Sequence, residues 1–176
     1  MSARRHPIII TGFMGAGKTV VAAALAERLG CKMIDLDQFI AEREGRTAQA
    51  IIDEEGDPRF REIETEALRE ALKTDAGVIA LGGGTWTIER NCALIGEHTI
   101  RTVWLDAPFE LCWQRIETEN SVRPLARERA KARKLYDARR ALYCQASLRV
   151  KVDGSQSART ISSAIVRALA LQTGGT

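Results

Sequence analysis

The chain has 176 residues, 45% apolar and 28% charged, values that suit one soluble domain with a real core. They exclude a disordered chain, a collagen-like repeat and a small disulfide scaffold. Its net charge of +3 identifies no partner, but residues 115–140 hold nine Lys/Arg against four Asp/Glu, leaving 17 and 19 elsewhere.

The first residues hold no signal-like apolar stretch, and the longest apolar run, residues 20–26, is about a third of a membrane span. Cys31, Cys92, Cys112 and Cys144 lack metal-ligand spacing and read as reduced thiols, so a cytoplasmic protein is expected. In chain order, residues 6–11, ending Ile8-Ile9-Ile10-Thr11, predict a buried strand closed by Gly12. Residues 18–29 predict a helix, with Val21, Leu25 and Leu29 four apart and Gly30 as its stop. Further strands are predicted at 32–36, 77–81, 101–105 and 147–152, and helices at about 58–73, 125–144 and 158–171. Strands alternating with helices imply a parallel sheet covered on both faces. Ligands then bind beyond the carboxyl ends of the strands.

Directly between the first strand and helix, Gly12-Phe13-Met14-Gly15-Ala16-Gly17-Lys18-Thr19 matches G-x-x-x-x-G-K-[ST]. Glycines let the backbone wrap tightly, so successive N–H groups and the helix N-terminus aim at phosphate oxygens. Lys18 is placed to reach the β- and γ-phosphates, and the Thr19 hydroxyl to coordinate Mg²⁺.

Asp35 and Asp37 close the second predicted strand, where residues two apart project to the same side. Beside a phosphate loop, one acid can support the metal's water shell while the other takes a substrate hydroxyl. Asp37 alternatively caps the following helix.

Twenty of the 26 basic residues are Arg, whose planar fork suits carboxylate and phosphate. Arg61 stands three residues before Glu64, which also fits a simple helical ion pair. Gly82, Gly83 and Gly84 follow the third strand, either as a tight turn or as bare backbone that a small substrate can approach. Residues 117–122 are polar and lack a helical period, which suits a mobile lid. Arg127, Arg129, Lys131, Arg133 and Lys134 read as a solvated helical face. Scarce aromatics and interspersed acids argue against nucleic acid as the partner of this segment.

Together these pieces resemble shikimate kinase along essentially the whole chain. The resemblance rests on residues 12–19, the Asp35-Leu36-Asp37 pair, Phe60-Arg61 with Glu64, residues 82–84, Arg123-Pro124-Leu125, and Arg139 with Leu142-Tyr143. It implies a three-layer α/β/α phosphate-loop kinase fold like that of nucleoside monophosphate kinases, with five parallel strands in the order 2-3-1-4-5. It also implies one domain over residues 1–176, substrate-binding helices at about 36–73, a lid at about 116–126, and transfer of the ATP γ-phosphoryl to the 3-hydroxyl of shikimate.

On this resemblance Asp37 holds and helps deprotonate the hydroxyl, and Asp35 supports Mg²⁺ through water. Gly12, Gly15, Ala16, Gly17, Lys18 and Thr19 hold phosphate, Arg123 meets the transferring group from the lid, and Arg115 packs on adenine. Arg61 and Arg139 clamp the substrate carboxylate over Gly82, Gly83 and Gly84, and Glu64 positions Arg61. The family commonly has Pro where this chain has Ala141, and the adjacent Arg140 leaves the choice between Arg139 and Arg140 open. The interval from Arg115 to Arg123 is one residue longer than usual, and no acid follows the third strand, which leaves the metal role to Asp35. ATP and shikimate are the expected partners of a monomer that binds neither nucleic acid nor membrane. A gluconate or nucleoside monophosphate kinase, or a catalytically silent nucleotide-binding module, is the competing reading.

Overall fold

The computed structural model describes residues 6–97, 101–118 and 129–173. Five strands, β1 (Ile8–Thr11), β2 (Met33–Asp35), β3 (Val78–Ala80), β4 (Thr102–Asp106) and β5 (Leu148–Lys151), form one sheet. All pairings are parallel, and the order is β2-β3-β1-β4-β5, as expected. The central strands are buried along nearly their whole length, which explains the continuous apolar runs of β1 and β4. Edge strand β5 alternates, with Leu148 and Val150 half-buried and Arg149 and Lys151 exposed.

Helices surround the sheet: α1 (Lys18–Leu29), α2 (Leu36–Glu44), α3 (Ala48–Glu55), α4 (Asp57–Ala71), α5 (Glu89–Gly96), α6 (Phe109–Thr118), α7 (Arg129–Tyr143) and α8 (Ala158–Thr173). A 3₁₀ turn occupies Thr85–Thr87. The bounds of α1 are those predicted, since Gly30 takes the left-handed conformation and its N–H closes on the Ala26 and Glu27 carbonyls. Pro58 sits in the first turn of α4, where its missing N–H costs nothing. Phe60, Ile63, Ala67, Leu68 and Ala71 then bury one face of that helix.

Helical periodicity alone marks none of α2, α3, α5 and α6, although α2 and α3 fall within the span of helices, about 36–73, that the resemblance implies. The first three have only nine, eight and eight residues, too short for a clear apolar period. The predicted non-helical stretch at 117–122 also needs correction, because Glu117 and Thr118 form the last turn of α6. Beyond Ile116, Glu117 and Thr118, the expected lid lies outside the described residues, as does Arg123.

The core is one continuous cluster that joins Ile9 and Ile10 of β1, Val103 and Leu105 of β4, Leu25 of α1, Leu68 of α4 and Ile165 of α8. Burying each such side chain contributes about 1.5–3 kcal/mol. This core holds the carboxyl ends of β1, β2 and β3 as a rigid shelf, and the candidate site stands on that shelf.

Candidate active site

A cleft of about 420 Å³ opens at the carboxyl edge of the sheet. Residues 15–19 of the phosphate loop line it, with Asp35, Asp37, Gly83 and Arg115. The loop needs its glycines: Gly12, Gly15 and Gly17 have φ of 146°, 78° and 93°, values that L side chains avoid. At Gly15 the space is closed as well, since an added Cβ would lie 2.5 Å from the Cys112 carbonyl oxygen of α6. On the same helix, Arg115 donates from Nη1 to the Gly15 carbonyl at 3.1 Å, which braces the loop from its flank. Lys18 Nζ donates to the Phe13 carbonyl at 3.0 Å and so lies across the loop.

The two carboxylates reach the cleft by a route different from the expected one. Asp35 ends β2, but Asp37 is in the first turn of α2, so strand alternation does not align them. The cap is Asp35, not Asp37: its Oδ1 accepts from the Asp37 and Gln38 amides at 3.1 and 3.2 Å. Its other oxygen, Oδ2, accepts from the Thr19 hydroxyl at 2.5 Å, which joins the phosphate loop to β2. Thr19 and Asp35 thereby present hard oxygen donors side by side, a set that fits a magnesium ion sharing its shell with phosphate and water.

Asp37 instead approaches the glycine triplet. A Cβ added to Gly82 would lie 2.6 Å from Asp37 Oδ1. Gly82→Ala should therefore displace that carboxylate and lower kcat on the order of tenfold, because small misplacements of reacting groups are costly. Steady-state kinetics beside a thermal melt test this, and an unchanged kcat in a folded variant refutes it.

At Gly84 the two separate arginine motifs converge. An added Cβ would lie 2.8 Å from Arg61 Nη1 and 3.1 Å from Arg139 Nη2. Arg61 donates to Glu64 Oε2 at 3.0 Å and pairs with Asp57 at 3.2 Å from its exposed side. Glu64 is only 1% exposed, and its Oε1 accepts from Thr85 Oγ1 at 2.6 Å. Burial raises the Glu64 carboxyl above its usual range, opposed chiefly by the Arg61 charge. Arg139 is 8% exposed, and burial lowers its guanidinium from the usual value, with Tyr143 opposing and Arg61 adding to the shift. Two guanidiniums thus face one buried carboxylate at a bare stretch of backbone, an arrangement complementary to an anionic ligand.

Arg140 does not join them. It points to the carboxyl end of β4, where Nη2 meets Asp106 Oδ2 at 3.3 Å and the guanidinium lies over Trp104. Of the other basic residues, Arg129 pairs with Glu110, Arg133 with Asp137 and Glu110, and Lys131 and Lys134 are exposed, as a solvated face should be; Arg127 lies outside the described residues.

Several site residues escaped the sequence reading. Val152 and Gln156, in the connection from β5 to α8, and Ala158, the first residue of α8, line the cleft. No charged or glycine motif marks them, though their place after a strand end was a usable signal. Thr85 and Trp86, in the 3₁₀ turn, were missed for the same lack of a motif. Trp86 Nε1 donates to the Leu142 carbonyl at 3.0 Å, and the Tyr143 hydroxyl donates to the Gly83 carbonyl at 2.5 Å, so the turn also anchors α7.

Comparison with known proteins agrees with this fold. A family model described as Shikimate kinase matches residues 14–170. A shikimate kinase of Ruegeria pomeroyi is 36% identical over 172 residues, 96% of this chain and 87% of that protein. One of Streptomyces avermitilis is 37% identical over 167 residues, 94% and 96% of the two chains. Among solved structures, the Acinetobacter baumannii shikimate kinase in complex with shikimate matches with a TM-score of 0.88 at 33% identity, over 95% of this chain and 94% of that one. The Aquifex aeolicus shikimate kinase gives 0.81 at 27%, over 97% and 99%.

Proposed function

The chain belongs to the shikimate kinase family, and on that footing we propose how its site carries out ATP-dependent phosphorylation of the shikimate 3-hydroxyl. The product, shikimate 3-phosphate, serves aromatic amino acid biosynthesis. The observation that carries the residue roles is the convergence of Arg61 and Arg139 on Gly84, beside the Asp37–Gly82 contact and the phosphate loop.

The amides of residues 12–19 and the N-terminus of α1 hold the β- and γ-phosphates of ATP. Lys18 exchanges its contact with Phe13 for phosphate oxygens. Thr19, with Asp35 acting through water, would hold Mg²⁺, which when bound neutralises charge on the phosphates. Shikimate lies across residues 82–84 with its carboxylate between Arg61 and Arg139. Asp37 accepts a hydrogen bond from the 3-hydroxyl, orients its oxygen toward the γ-phosphorus and takes its proton as the new P–O bond forms. ADP leaves. Arg115 packs on adenine, and Arg123 meets the transferring phosphoryl from a lid over residues 116–126. Binding energy goes into positioning and charge balance, which dominate this chemistry.

Residues 1–176 act as one domain, with α2, α3 and α4 as the substrate-binding helices. Every proposed group comes from one chain, so a monomer suffices. The protein works in the cytoplasm and engages small anions rather than nucleic acid or membrane. Its four cysteines are free, and among the described residues no helix is long and apolar enough to cross a membrane.

Release of ADP from ATP and Mg²⁺ is the direct test. Turnover should depend on shikimate and be negligible with gluconate, whose flexible chain does not match a clamp and base fixed on rigid elements. Turnover with gluconate and not with shikimate, by well-folded protein, would refute the assignment.

A further inference from the structure

Helix α5 contributes no residue to the cleft lining, yet its Asn91 is completely buried and polar. Burying an amide is costly unless its hydrogen bonds are made, and here both ends make them. Asn91 Nδ2 donates to the Thr85 carbonyl at 3.0 Å, and Asn91 Oδ1 accepts from Thr65 Oγ1 at 2.8 Å. Those two partners sit on opposite arms of the anion site. Thr65 belongs to α4, one turn after Arg61, whose carbonyl is 2.9 Å from the same hydroxyl. Thr85 opens the 3₁₀ turn, and its own hydroxyl donates to Glu64, the counter-ion of Arg61. Trp86 of this turn and Gly83 just before it hold the end of α7, the helix that carries Arg139.

We propose that Asn91 is a positioning residue for the acid clamp. It fixes the 3₁₀ turn against α4, so that the Arg61–Glu64 pair and Arg139 meet at Gly84 before substrate arrives. The inference rests on the clamp reading given above. A preformed pair of guanidiniums binds a carboxylate without first ordering two long side chains. Loss of the Asn91 amide leaves the Thr85 carbonyl with only the 3.4 Å contact from the Ile88 amide inside its own turn, cuts the tie to Thr65 of α4, and lets the turn and the Glu64 anchor drift apart. The cost therefore falls on binding of the acid, not on the nucleotide.

The experiment compares Asn91→Ala, Arg61→Ala and the double variant by steady-state kinetics in each substrate. Asn91→Ala should raise the KM for shikimate about tenfold, about the cost of ordering one long side chain on binding, with the KM for ATP within about twofold. In the Arg61→Ala background the same change should have almost no further effect on shikimate, because the arm it orients is gone. Equal changes in both KM values, a loss only of active protein, or full additivity with Arg61→Ala would each overturn the proposal. If Asn91→Ala does not fold, Thr65→Val removes the hydroxyl from which Asn91 Oδ1 accepts, and the same three measurements decide. An unaltered shikimate KM in Arg61→Ala itself would instead refute the clamp reading.

Discussion

Asp37→Asn should lower kcat by about two to four orders of magnitude, the contribution typical of a positioned general base. The substitution keeps the shape of the side chain, so the first turn of α2 and its cap at Asp35 remain intact. It removes the charge and the basic oxygen that sit against Gly82, where the acceptor hydroxyl must lie. The amide can still hydrogen-bond that hydroxyl but cannot take its proton at neutral pH. KM for ATP should therefore stay within a few-fold, because the phosphate loop does not depend on Asp37. Rapid-mix measurement of ADP formation separates this loss of chemistry from slow product release. A variant that turns over at the parental rate would remove Asp37 from the reaction.

The second large effect concerns the acid. Arg139→Ala should weaken shikimate binding by about 2–5 kcal/mol, as for truncation of one member of a buried charge pair. That corresponds to roughly 30-fold to several thousand-fold in affinity. Arg139 is nearly buried beside Arg61, so no other guanidinium can swing into its place. Arg140→Ala should have little effect on shikimate, since that side chain is half exposed and engaged with Asp106 and Trp104. Titration of each variant with shikimate, with ATP as control, provides the comparison. A larger loss from Arg140→Ala than from Arg139→Ala would reverse the assignment.

The concentration of positive charge in residues 115–140 divides in the same way. Arg115 turns to the phosphate loop and Arg139 to Gly84, whereas Arg129 and Arg133 serve ion pairs with Glu110. Charge counted along the chain pointed to an anionic ligand, but among the described cations of this segment only Arg115 and Arg139 face the site. Arg129, Lys131, Arg133 and Lys134 cover a face of α7 exposed to water, where a surface ion pair contributes little.

Local pattern was enough for some features and not for others. The phosphate loop was legible because its glycine conformations and its place between a strand and a helix are dictated within a few consecutive residues. The parallel α/β class followed from the alternation of apolar runs with helical periods. Short helices such as α3, with only Ile51 fully buried, carried too little apolar signal to be seen.

The sequence by itself thus determined the fold class, the phosphate-binding loop, the pair of acids and the presence of arginines suited to a carboxylate. Tertiary structure decided which members of those sets act together. Successive residues on a helix point about 100° apart, so adjacent Arg139 and Arg140 face different neighbours, and packing alone selects the one that reaches Gly84. The same holds for Asp35, which became a cap because β2 ends one residue earlier than its pattern suggested. Asn91 belongs wholly to this second group: its partners lie 26 residues before it and six before it, and only folding brings them to one amide.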